Sequence, residues 1–186
     1  MSLQLVTPPA VEPVALADAK AHLKVDTADD DTLIASLVTA ARARAEWLTG
    51  RAFITQSWML WRDAWPPAPF EIPLPPLQTL TSITTYDLGD TATVLDSALY
   101  RVDASANPAR VAWTETVVPP TNLRNLNALA VAFTAGYGDA ATDVPEPIRQ
   151  AILEMVAQLY ANRGDAAGEI PRAAQALLAP YRVLQV

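Results

Sequence analysis

The stretch Phe133 to Arg163, FTAGYGDAATDVPEPIRQAILEMVAQLYANR, constrains the fold more than any other part of the chain. A strand end, a turn with two glycines, a helix start marked by Pro145 and Pro147, and a long apolar helix follow without a gap. Proline is tolerated in the first helical turn, where an amide N–H has no intrahelical acceptor. Ile148, Ile152, Met155, Val156 and Leu159 then recur at helical spacing up to Gly164, so one apolar face is committed to a core. No reactive constellation interrupts the stretch, which points toward assembly rather than catalysis.

The same period occurs near the N-terminus. Leu16, Ala19 and Leu23 predict a short helix from Leu16 to Val25. Asp29, Asp30 and Asp31 then precede a stripe of Leu33, Ile34, Leu37, Val38, Ala41, Ala45 and Leu48, which Gly50 ends as a C-cap. Acids at the start of this helix, with Arg42, Arg44 and Arg51 toward its end, suit the helix dipole.

From Phe53 the period shortens. ITQSWMLWRDAW is rich in β-branched and aromatic residues, and the segments after it alternate short apolar runs with proline and Asp-Gly turns. Leu88-Gly89-Asp90 reads as a hairpin turn between TSITTYD and TATVL, and Ala128 to Phe133 as a buried strand. The prolines from Pro66 to Pro76 confine their neighbours to edge or connecting segments, because proline cannot donate to a ladder. Pro171 opens a last short helix through about Leu178, Pro180 stops it, and YRVLQV reads as an extended apolar tail. Such a tail either frays or pairs with another chain.

The predicted class is α+β: N- and C-terminal helices form a helical core, with a β-rich, proline-rich antiparallel insert between them. A single domain is expected over residues 1–186, with helices in 15–50, the β-rich insert in 51–135, helices again in 136–180 and the tail in 181–186. Half of the residues are apolar, which suits a packed core. No apolar run is long enough to span a bilayer, and the first residues lack the pattern of a signal peptide, so a cytoplasm-like setting is expected. The absence of cysteine rules out disulfides, thiolate zinc and a cysteine nucleophile. A formal net charge of −7 opposes a firm grip on nucleic acid.

Each catalytic or ligand-binding reading has a plainer alternative. His22 is the only histidine and stands on the first helix as a surface residue without an orienting partner. The Asp29–Asp31 run begins a helix instead of spacing its oxygens along a calcium loop. Asp63, Glu71, Asp87, Asp96, Asp103 and Glu115 could in principle supply a glycosidase pair, yet read as loop acids. Gly136-Tyr137-Gly138 lacks the lysine and spacing of a phosphate loop. Trp47, Trp58, Trp61 and Trp65 with Phe53 could stack on sugars or bases, but few basic residues interleave, so core and interface packing is the better reading. A carbohydrate-binding or glycan-processing module, built on the Trp and Asp content of the β part, is the alternative from another class.

The segments LADAKAHLKVD, DDDTLIASLVTAARARAEWLTGRAFITQSW, FTAGYGD, VPEPIRQAILEMVAQLY and ANR also carry a family resemblance. Together they resemble the gp6-like head-tail connector, or adaptor, proteins of long-tailed phages and gene transfer agents. The resemblance runs through nearly the whole chain and is loosest between about Pro66 and Leu126. One departure is Ala15, where Ser or Thr would cap the first helix. The resemblance implies a structural protein without enzymatic activity, metal or cofactor, placed in the neck of a virion or phage-like particle that assembles in the bacterial cytoplasm.

Its implied partners are further copies of itself in a dodecameric ring, the portal protein above, and the next neck or tail-completion protein, with DNA passing only as cargo and no membrane involved. Ring contacts are then expected on Thr32 to Thr49 and Ile148 to Tyr160, with Arg42, Arg44, Trp47, Arg149 and Tyr160 as candidates. The resemblance assigns portal contact to the C-terminal part, making Tyr181, Arg182, Val183, Leu184, Gln185 and Val186 the candidates.

Overall fold

In the computed structural model, which describes residues 1–162 and 170–183, the two hydrophobic periods separate into two units. In chain order the elements are β1 (Ser2–Thr7), α1 (Leu16–Leu23), α2 (Asp31–Thr49), β2 (Gln56–Arg62), β3 (Phe70–Ile72), β4 (Leu77–Tyr86), β5 (Ala92–Val94), β6 (Tyr100–Asp103), β7 (Ala109–Trp113), β8 (Leu129–Ala135), α3 (Glu146–Ala161) and α4 (Arg172–Leu178). The chain is α+β, and its sheets are antiparallel throughout.

The helical unit comprises Ala10–Ile54 and the chain from Tyr137 onward. Its core is the stripe read from the sequence. Ile34, Val38, Ala41 and Ala45 of α2 are buried together with Ile148, Ala151, Ile152, Met155 and Val156 of α3, Phe53 and Ile54. The alanines keep the helices close, and the β-branched and longer side chains fill the space between them. Gly50 ends α2 in the left-handed region at φ 67°, and its N–H donates to the Glu46 carbonyl. The first helix starts at Ala15 without a side-chain cap, as the sequence suggests, and ends on Lys24 at φ 58°. Pro145 and Pro147 open α3.

The β unit comprises Met1–Pro9 and Thr55–Gly136. It holds a five-stranded sheet in the order β1-β2-β8-β4-β5 and a three-stranded sheet in the order β3-β7-β6. Register places Leu60 opposite Val131, and Val131 opposite Ile83, so these fully buried side chains share one face of the larger sheet. In the smaller sheet, Phe70 faces Val111 and Ile72 faces Ala109, all buried. The Arg62 guanidinium of the larger sheet lies over the Phe70 ring at 5.1 Å, so the two buried faces meet. Strand β3 lies within the proline cluster and at the edge of its sheet, where proline does least harm.

The first strand differs from the sequence reading, which has no ordered element before Leu16. Ser2–Thr7 pairs antiparallel with β2 although all six of its residues are exposed. Its order comes from the ladder rather than from burial, so no hydrophobic pattern announces it. The hairpin at Leu88-Gly89-Asp90 does form, with β4 pairing β5 across it and the Asp87 carboxylate accepting from the N–H groups of Gly89 and Thr91.

Candidate assembly surfaces

Arg42, Arg149 and Tyr160, among the polar and aromatic ring candidates, hold partners within the helical unit. Arg42 on α2 donates from Nε to Glu12 at 2.7 Å and from Nη1 to Glu46 at 2.6 Å, with only 11% of its side chain exposed. Burial opposes the guanidinium charge, but the two carboxylates outweigh it and raise its pKa above the ordinary value. Glu46 also accepts from the Phe53 N–H, so one network joins the segment before α1, the helix α2 and the chain after its C-cap. Arg149 on α3 donates to the Pro13 carbonyl at 3.1 Å and pairs with Glu146 at 2.9 Å. Tyr160 donates its hydroxyl to Asp30 at the start of α2.

Arg44 and Trp47 stand one turn apart on α2, and Trp47 is 77% exposed. An indole left this open on a rigid helix is what a contact with another molecule buries best. On the same unit lies a groove of about 670 Å³, walled by Val11, Val14, Leu16, Ala35, Val38 and Ala140 and rimmed by Glu12 and Asp139. Sequence reasoning missed it, because its walls come from three separate segments that carry no common period.

The described part of the C-terminal segment is anchored. Arg51 donates to the Tyr181 carbonyl, and the Val183 N–H donates to the Thr49 carbonyl at 2.8 Å. Val183 packs beside Gly50, within 3.5 Å of where a Cβ there would stand. Tyr137 shares this corner. Burial pushes its hydroxyl pKa up, with Arg51 opposing the shift. Leu184, Gln185 and Val186 lie outside the described residues.

Residues 13–87 match the model of the phage gp6-like head-tail connector family. The whole chain is similar, with a TM-score of 0.84 and 25% identity over 97% of its counterpart, to a chain in the virion of a native gene transfer agent particle. The gp6-like likeness in sequence thus covers residues 13–87, and the likeness in fold covers the whole chain. Chains in the neck of an empty gene transfer agent particle computed with C6 symmetry and in the neck of a native one computed with C12 symmetry are also similar. Their TM-scores are 0.83 and 0.80, each with 27% identity over 100% of this chain and 97% of the other. No curated protein matches.

Local structure accounts for several of the remaining sequence candidates. His22 is exposed on α1. Asp30 is engaged by Tyr160 and Asp31 by Lys20, and among the described residues no group of three or more His, Cys, Asp or Glu gathers as a metal requires. Asp63 accepts from the Asn127 N–H, Asp96 from Ala98, and Asp103 from Ser105 and Arg110, so each carboxylate serves a turn or a cap. Trp47 belongs to the helical unit, whereas Trp58 and Trp61 point to opposite faces of β2. Trp65 stacks on Trp113 at 4.2 Å, and the Trp113 indole donates to the Pro66 carbonyl. Among the described residues no helix is long and apolar enough to cross a membrane.

Proposed function

We propose that this chain is a head-tail connector, or adaptor, of a tailed phage or gene transfer agent, forming a ring beneath the portal that joins the capsid to the next neck or tail-completion protein. The observation that carries this reading is the similarity of the whole chain, at 25% to 27% identity, to chains of gene transfer agent virions and necks. A neck computed with C12 symmetry supports a dodecamer, in which each copy makes one heterologous contact with the next until the circle closes.

The role is structural, and no catalytic step is assigned. In this reading the terminal helices are the ring scaffold and the β-rich middle is carried between them along the chain. The proposed ring contacts lie on α2 and α3, with Trp47 as the principal group because its indole is strongly exposed, whereas the guanidinium groups of Arg42 and Arg149 and the Tyr160 hydroxyl have partners in their own copy. The proposed portal contact is Tyr181 to Val186, leaving from the anchored corner at Thr49 and Arg51. DNA crosses the ring as cargo. A net charge of −7 per copy gives the conduit a field that repels phosphate. Assembly in the bacterial cytoplasm and residence in the particle neck follow from this role.

Mass measurement of the purified chain, alone over a concentration series and with its portal, tests the proposal. Rings at high concentration or on portal addition are the expected outcome. A chain that stays monomeric and ignores the portal under all these conditions overturns it.

A further inference from the structure

Among the strongly exposed apolar side chains of the described residues, Trp47 is the largest, and the helical unit also carries an open apolar groove. The two cannot meet within one copy. Trp47 follows Ala35 by twelve residues on the same helix, which places it about 18 Å further along the axis and about 120° round it. A knob on one side and a hole on another are the two halves of a heterologous contact, the kind that generates rings. The similar neck structures carry C6 and C12 cyclic symmetry, which contacts of this kind produce.

The chemistry of the two halves matches. The groove is walled by Val11, Val14, Leu16 and Val38, while Ala35 and Ala140 leave room for a flat ring. Asp139 on its rim is exposed, offering an acceptor for an indole N–H and a negative charge opposite Arg44, one turn before Trp47. We infer that Trp47 of one copy seats in the Val11–Ala35–Ala140 groove of the next, forming the head-to-tail contact that closes the ring. This contact rests on the ring proposed above.

The chain contains no cysteine, which makes the test direct. Ala43→Cys, one turn from Trp47, combined with Ala140→Cys on the groove wall gives a chain that keeps the indole. Treated with a short bismaleimide under ring-forming conditions, it is expected to yield a ladder of covalent oligomers on a denaturing gel, whereas either single variant stops at the dimer. Separately, Trp47→Ala and Ala35→Glu are each expected to weaken ring assembly by about thirtyfold or more, with the monomer's circular dichroism unchanged. Rings of the double-cysteine chain that give no ladder, or rings that form equally well with Trp47→Ala, overturn the groove contact and leave the adaptor reading standing. Failure of the wild-type chain to form rings at all, alone or with portal, removes both.

Discussion

The Asp103 carboxyl is held well below the usual carboxylate range. Hydrogen bonds from Ser105 and a pairing with Arg110 at 2.7 Å hold its pKa at about 2, and Asp63 and Asp87 are lowered in the same direction by the backbone N–H groups of Asn127 and Thr91. A carboxyl lowered on folding stabilises the native state above its unfolded pKa, near 3.9, and that contribution is lost as pH falls through the folded value. The β unit is therefore expected to lose stability between about pH 4 and pH 2. A carboxyl NMR titration should place the Asp103 midpoint near 2, and Asp103→Asn should flatten the acid limb of a pH-stability curve. Single residues were otherwise legible where backbone geometry demands them. Gly136 and Gly138 read as a tight turn, but the reason for Gly138 lies five residues on. A Cβ there would stand 2.2 Å from the Asp143 carboxylate, which accepts from the Ala140 N–H. A sequence window shows the glycine and not the carboxylate that needs its space.

At the scale of elements, α2 and α3 were legible because each combines a long apolar stripe with a physical boundary signal, the Gly50 stop for one and the Pro145–Pro147 start for the other. The non-sequential neighbours β2, β8 and β4 were not, since strand order depends on which faces meet rather than on any local period. The network at Arg42 belongs to the same category. Glu12 lies thirty residues earlier in a proline-rich segment without periodicity, yet it and Glu46 enclose the guanidinium between them. Replacing one member of a partly buried ion cluster leaves the others uncompensated, so Arg42→Met is expected to destabilise the fold by about 1–3 kcal/mol. Urea denaturation measures the loss. Arg42→Met combined with Glu12→Gln should recover part of it, because the second change removes one of the stranded charges.

For the molecule as a whole, the sequence separates work inside one copy from work between copies less well than the structure does. Arg42, Arg149 and Tyr160 share helical spans with Trp47, but their polar groups meet partners in their own chain, and only Trp47 of these four is left strongly exposed. The C-terminal segment divides in the same manner. Through Tyr181 and Val183 it closes the corner beyond α2, accepting from Arg51 and donating to Thr49. Leu184, Gln185 and Val186 follow, two of the three apolar. If the proposed portal arm resides in those last three residues, a chain ending at Val183 keeps its anchor and therefore its thermal stability, within a degree or two of the intact chain. Its rings should still form at high concentration, since the α2 contact is untouched, while its affinity for the portal falls by about tenfold or more, as expected when two apolar side chains leave an interface. Thermal melts, mass measurement and portal titration on the same two proteins separate these effects, and portal affinity unchanged by the truncation would move the contact elsewhere on the chain.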